Sequence, residues 1–237
     1  MGCADAQGER PGFHHSSTQD IIVESGLSAR AVYCYFAGSF CIGGSPRASS
    51  ALTVRDIVEV LRASTEFDMT VDTTAHHDLL DHGLQTATVL RASHPDDPEL
   101  QVAGLVHDLG HILPPRDTAL HGVIAGDFVR SVLGDRVASL VRLHVPAKRY
   151  LVTVEPSYRE ELDVGSTYSL EVQGATMAGD EVAEFESEPH HLDAIVVRRA
   201  DEAAKVHGRD VDPLDDWLPV LDGVAASAPR SGRRVPT

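Results

Sequence analysis

The sequence has no stretch of about eighteen consecutive apolar residues, so no membrane-spanning helix is expected. Cysteine is scarce. Cys3, Cys34 and Cys41 are the only three, and none lies beyond Cys41 in a chain of 237 residues. That is not a disulfide framework, and it fits a reducing compartment. The first residues, Met-Gly-Cys-Ala-Asp-Ala-Gln-Gly-Glu-Arg, lack a basic stretch followed by an apolar one. No secretory signal is expected, and the cytoplasm is the expected location. Basic residues are outnumbered, 20 Lys and Arg against 36 Asp and Glu, for a formal net charge of −16. Such a balance argues against a general nucleic-acid or anionic-membrane binder.

What is present is an adequate apolar fraction, 42%, which suffices for a packed core. The length suits one domain with an appendage, or two small domains. Helical patterns are expected over residues 54–62, 82–92, 99–109, 122–133, 135–143, 180–188, 191–206 and 213–224. Pro98 suits the first turn of the third of these, and the Pro114-Pro115 pair stops helical structure soon after it. No strand pairs and no internal repeat stand out, so the expected fold is all-α. Residues 1–50 read as an N-terminal segment and linker, residues 51–224 as the main domain, and residues 225–237 as a disordered tail.

Thirteen histidines are many for this length, and several sit inside apolar helical patterns. The most informative stretch is Leu105-Val106-His107-Asp108-Leu109-Gly110-His111-Ile112-Leu113. A His-Asp pair there is costly unless something binds it, because a buried unpaired polar group costs about 1–3 kcal/mol. His107 and His111 are four residues apart and would share one helical face. Imidazole and carboxylate suit a transition metal such as iron, manganese or zinc. His82, His121, His144 and Asp201 lie in similar contexts. A lone histidine on an apolar helix is more often a satisfied core residue, and Asp201 alone would read as a solvated helix residue. Their joint occurrence favours ligands.

Two resemblances sharpen these expectations. The first is carried by Gly12-Phe13-His14-His15-Ser16-Ser17-Thr18-Gln19-Asp20-Ile21, Glu24-Ser25-Gly26-Leu27-Ser28 and Ala31-Val32-Tyr33-Cys34-Tyr35-Phe36. Residues 12–38 resemble a truncated TetR-type DNA-binding helix-turn-helix. Those repressors have a full helix before the Gly-Phe, where this chain has eleven polar residues. Arg30 is the one cation in residues 28–36. A fused remnant without a nucleic-acid partner is therefore expected.

The second covers most of the chain. His82, His107-Asp108 and Asp201 resemble the pattern of the HD superfamily of metal-dependent proteins. On its own that implies a metal-dependent phosphohydrolase. With His121 and His144 added, and with Gln85-Thr86-Ala87, Ala147-Lys148-Arg149-Tyr150 and Lys205 around them, the set resembles a narrower branch. That branch is the mixed-valent di-iron oxygenases, which include phosphonate-cleaving oxygenases and myo-inositol oxygenase. The resemblance implies an HD-domain helical bundle with a short helix-turn-helix-like appendage. It implies two iron ions, ferrous and ferric, with manganese or another divalent metal as the alternative. His82, His107, Asp108 and Asp201 would hold one iron, and Asp108 would bridge to a second held by His121 and His144. The implied partners are dioxygen and a small hydroxylated anion such as a 1-hydroxyphosphonate, cleaved after hydrogen is removed from the carbon bearing the hydroxyl.

By the same resemblance His111, Lys148, Ser166 and Arg198 would bind the substrate anion. Two cations, a histidine and a hydroxyl make a plausible cradle, which Arg can enter bidentately. The alternative is that Lys148 and Arg198 are salt-bridged surface residues. Phosphonate oxygenases also carry a Tyr and a Glu just before the first histidine, for a lid and for recognising a substrate amine. Residues 72–81 contain neither; Asp72, His76, His77 and Asp78 stand there instead. The resemblance therefore does not extend to recognition of an amine. Asp163 and Val164, before Ser166, offer the anion no cation.

Overall fold

The computed structural model describes residues 52–67 and 78–229. The helix-turn-helix-like stretch, most of the segment before His82 and residues 230–237 lie outside the described residues. All the regular elements among the described residues are helical. The first is α1, Val54–Ala63, closed by a reciprocal cap in which Asp56 accepts from the Thr53 N–H at 2.8 Å. A 3₁₀ turn, Ser64–Glu66, follows. Then come α2, Leu79–Ser93, and α3, Pro98–Val106. Both start on an aspartate: Asp78 accepts from the Asp81 N–H at 2.8 Å and Asp97 from the Leu100 N–H at 3.0 Å.

The chain then tightens into a second 3₁₀ turn, Leu109–His111, before the long α4, His121–Val154. Gly134 interrupts α4 with φ +88°, a backbone conformation that disfavours L side chains. The expected break between residues 133 and 135 is therefore real, but the second half runs eleven residues past the expected end at Leu143. Pro146 sits inside it, where only one helical hydrogen bond is forfeited. Four more helices complete the fold after the short α5, Pro156–Glu161. They are α6, Val164–Val172; α7, Gly179–Ser187; α8, His191–Ala203; and α9, Leu214–Ser227. The last runs three residues past the expected end of the domain, into the expected tail. α5 and α6 were not expected, because their short sequences are polar and weakly patterned.

The helices surround a main apolar core, with a smaller cluster of Leu151, Val152, Tyr158 and Leu170 beside it. Ile57, Leu61, Leu90, Val106, Ile124, Leu140, Val197 and Leu221 are all fully or almost fully buried. Each contributes about 1.5–3 kcal/mol from burial. Trp217 of α9 is fully buried, with the Arg91 guanidinium 3.5 Å over its ring. Arg136 in α4 ties three places together, pairing with Asp97 at 2.7 Å, Asp193 at 2.9 Å and Glu99 at 3.1 Å. Those pairs lock the N-termini of α3 and α8 against α4, and five of the six candidate ligands lie on α4, on α8 or directly after α3.

Candidate metal centre

His82 lies on α2, His107 and Asp108 just after α3, His121 and His144 on α4, and Asp201 on α8. All six are buried. They fall into two groups whose ligand atoms lie within 4.8 Å of one another: His82, His107 and Asp201; and Asp108, His121 and His144. Asp108 also links the groups. Its Oδ2 is 3.4 Å from His107 Nε2 and 3.7 Å from His82 Nε2, while its Oδ1 is 3.2 Å from His121 Nε2 and 3.4 Å from His144 Nε2. One carboxylate thus turns one oxygen toward each group, the geometry of a bridge.

Local backbone structure sets the imidazoles. His107 Nδ1 is 2.7 Å from the Gly104 carbonyl, His121 Nδ1 is 2.8 Å from that of Thr118, and His144 Nδ1 is 2.6 Å from that of Val141. A carbonyl only accepts, so each Nδ1 carries a proton and each Nε2 can present a lone pair inward. Anchoring the far nitrogen in this way is how metal-binding histidines are usually oriented. His121 Nε2 and His144 Nε2 face each other at 2.9 Å. Two lone pairs that close repel unless a cation or proton lies against them. His107 Nε2 is buried without a hydrogen-bond partner. The donor set and these crowded nitrogens fit a pair of metal ions.

The charges agree. Burial alone would raise the carboxyls of Asp108 and Asp201, but Asp108 is held well below the usual range by His107, and Asp201 by Arg198. Burial pushes His107 down, yet the negative charges of Asp108 and Asp201 outweigh it and lift the imidazole to about 9. The site demands positive charge beside those carboxylates, which a metal can supply in place of a proton. Burial lowers His121 and His144 despite Asp108, so both favour the neutral form that ligates.

His107 and His111 do not share an α-helical face as expected. α3 ends at Val106, and the tighter 3₁₀ turn redirects the chain. His111 still reaches the site: its ring stacks on His121, centroids 4.1 Å apart, with Phe67 at 6.0 Å on a near-parallel plane. Burial and the neighbouring His121 push His111 to about 3, so it offers a neutral hydrogen-bonding group, not a cation. Gly110 makes this turn possible. A Cβ there would lie 1.9 Å from the His121 carbonyl oxygen.

The other residues expected around an anion are also brought together, with their charge distributed differently from the expected cradle. Lys148, Ser166 and Arg198 are buried, so Lys148 and Arg198 are not surface residues. Lys148 Nζ donates to Ser169 Oγ at 2.8 Å. Burial and the nearby charge of Arg198 push its amine down to about 7. Arg198 is already committed: its guanidinium bonds Asp201 and Glu202, and its Nε donates to the Tyr158 hydroxyl at 2.7 Å. Ser166 Oγ accepts from Lys205 and, at 3.2 Å, from Arg198, and donates to Glu202 at 3.1 Å. Asp163 lies in the two-residue connection between α5 and α6. It caps α6, accepting from the Ser166 N–H at 2.5 Å, and so aims Ser166 and Ser169 inward.

Sequence reasoning missed Tyr158, Ser169 and Glu202. Ser169 is one turn from Ser166, a signal usable only once α6 is known to be a helix. Glu202 sits next to Asp201 and four residues from Arg198, so an i, i+4 pairing was available to find it.

Among the described residues, no helix is long and apolar enough to cross a membrane. Comparison with known proteins adds to this picture. The sequence profile of the family described as myo-inositol oxygenase matches residues 46–132. A hydroxymethylphosphonate dioxygenase from Gimesia maris is 36% identical over 147 residues, covering 58% of this chain and 73% of that protein. A [1-hydroxy-2-(trimethylamino)ethyl]phosphonate dioxygenase (glycine-betaine-forming) from Leisingera caerulea is 33% identical over 147 residues, covering 59% of this chain and 74% of that protein. With its helical frame, paired His and Asp groups and this degree of identity, the chain belongs to the myo-inositol oxygenase-like family of HD-type di-iron oxygenases.

Proposed function

We propose that the protein binds two iron ions and oxidatively cleaves the carbon–phosphorus bond of a small 1-hydroxyphosphonate. The observation that carries this reading is the adjacency of two features: the Asp108-linked pair of ligand groups, and a buried lysine bonded to a serine on α6. The names of the relatives favour oxygen chemistry over phosphate-ester hydrolysis. For hydroxymethylphosphonate the balance is one substrate dianion plus dioxygen, giving formate, hydrogen phosphate and one proton. The C–P and O–O bonds break, carbon is oxidised, and dioxygen supplies one oxygen atom to each product.

Iron held by His82, His107, Asp108 and Asp201, and by Asp108, His121 and His144, supplies the one-electron chemistry that lets dioxygen react with a C–H bond. The chain's own residues bind and orient. Lys148 and Ser169 offer the phosphonate a charge-assisted contact. His111, neutral and wedged between Phe67 and His121, offers a hydrogen bond without adding charge. Burial of Lys148 and partial burial of Ser169 and His111 lower the local dielectric and strengthen each contact. No Tyr or Glu precedes His82 within residues 72–81, which favours a substrate without an amine.

The test is iron analysis, EPR and turnover of the full chain. About two irons per chain, a mixed-valent EPR signal, and equal amounts of oxygen consumed and phosphate released from hydroxymethylphosphonate are expected. One metal per chain without such a signal, or phosphate release that does not consume oxygen, overturns the proposal.

A further inference from the structure

The anion-binding end of the site contains a carboxylate with no part in holding a metal. Glu202 is largely buried, its side chain only 10% exposed. Its Oε2 bonds Arg198 Nη2, Lys205 Nζ at 2.9 Å and the Ser166 hydroxyl at 3.1 Å, while its Oε1 lies 3.3 Å from the Asp163 N–H. Glu202 therefore contacts two of the three cations near the site and accepts the one proton Ser166 can donate. Lys205 is further balanced by Asp163 at 3.2 Å, and Arg198 by Asp201. Among the described residues, Lys148 is the one of these three cations without a direct carboxylate partner.

We propose that Glu202 is a built-in counter-anion that limits the affinity of the oxyanion site, so that inorganic phosphate is released rather than retained. The inference rests on the phosphonate-cleaving reading above. Substrate and product then share one oxyanion group, and a site with three uncompensated cations would hold the product as firmly as the substrate. An incoming oxyanion meets the negative field of Glu202 and must compete with it for the Ser166 proton and for Arg198 and Lys205. Glu202 touches neither ligand group; it acts through Arg198, Lys205 and Ser166 and is a positioning and affinity-setting residue. A purely structural glutamate would predict the opposite sign on removal. Losing its charge would loosen Ser166, Arg198 and Lys205 and weaken anion binding.

Glu202→Gln keeps the shape and the acceptor while removing the charge. Inorganic phosphate is the probe, measured by calorimetry and as a competitive inhibitor of the iron-loaded full chain. Phosphate should bind about tenfold more tightly or better to Glu202→Gln, the order expected for removing a like charge a few ångströms away inside a protein. Product release should slow in the same variant. The double variant Glu202→Gln/Lys205→Gln restores the net charge and should return phosphate affinity toward that of the wild type. Equal or weaker phosphate binding by folded Glu202→Gln overturns the inference. Should Glu202→Gln not fold, Lys205→Gln decides instead: about tenfold weaker phosphate binding supports the charge balance, and unchanged binding overturns it. Lys148→Met separates this inference from the reading beneath it. Phosphate binding that is absent from both the wild type and Glu202→Gln, or that is unaffected by Lys148→Met, removes both; binding that depends on Lys148 but does not tighten in Glu202→Gln removes only the role of Glu202.

Discussion

Replacing Lys148 by Met tests the anion site through two independent quantities. The first is substrate affinity. Among the described residues, Lys148 is the cation in the site without a direct carboxylate partner, and a hydrogen bond to a charged group contributes about 1.5–3 kcal/mol. Its loss should raise KM for the phosphonate about 10- to 150-fold. The second is stability. Burial and the Arg198 charge push the Lys148 amine from 10.5 to about 7. A base with a depressed pKa in the folded state is charged at a penalty below that pKa. The penalty is fully present below about pH 7 and fades as pH rises toward 10.5. About 3.5 pH units at 1.36 kcal/mol each amounts to about 5 kcal/mol. Metal-free Lys148→Met should therefore be more stable than the wild type at pH 6 by up to about that amount, and the gap should close by about pH 10. Urea unfolding followed by circular dichroism across pH 6–10 measures it. The wild type should also lose phosphonate affinity above about pH 7 as Lys148 deprotonates, a trend missing from Lys148→Met. A variant less stable than the wild type at pH 6, a gap that does not change with pH, or an unchanged KM would refute the placement of a buried charge, hydrogen-bonded only to a hydroxyl among the described residues, at this position.

His144→Ala removes one of the two lone pairs facing each other at 2.9 Å and one donor from the Asp108, His121 and His144 group. Iron content should fall from about two to about one per chain, with loss of oxygen consumption and a metal-free fold at least as stable; retention of two irons would contradict the assignment. Gly110→Ala drives a Cβ into the His121 carbonyl oxygen, which lies 1.9 Å from where that atom would sit. Backbone must move to relieve it, so a loss of about 2–4 kcal/mol in stability is expected, seen as a lowered Tm together with weaker metal retention. An unchanged Tm would mean that the turn and α4 are less closely packed than they are here.

Local patterns carried a good deal of this protein. The apolar spacing of α1, α2 and α8 and the break near Gly134 follow from side-chain periodicity and glycine's backbone freedom, both local properties. The continuation of α4 through Pro146 does not, because there the surrounding packing overrides the usual meaning of a proline. The helix expected over residues 99–109 fails at Val106 for a related reason. The contact between Gly110 and the His121 backbone imposes a tighter turn that no window of sequence contains.

By itself the sequence determined the chemistry available: six ligand-type residues in apolar surroundings, a lysine four residues after His144, and an acidic chain unsuited to nucleic acid. Residue types and their intervals suffice for that. Tertiary structure decided how the groups are used. Asp108 faces both ligand groups because three elements converge on the turn after α3. The bare nitrogens of His107, His121 and His144 point inward because backbone carbonyls three residues earlier hold their opposite edges. The pair of cations expected to grip the anion became chiefly one, because folding brings Glu202 and Asp201 against Arg198, and electrostatic balance is a property of positions in space.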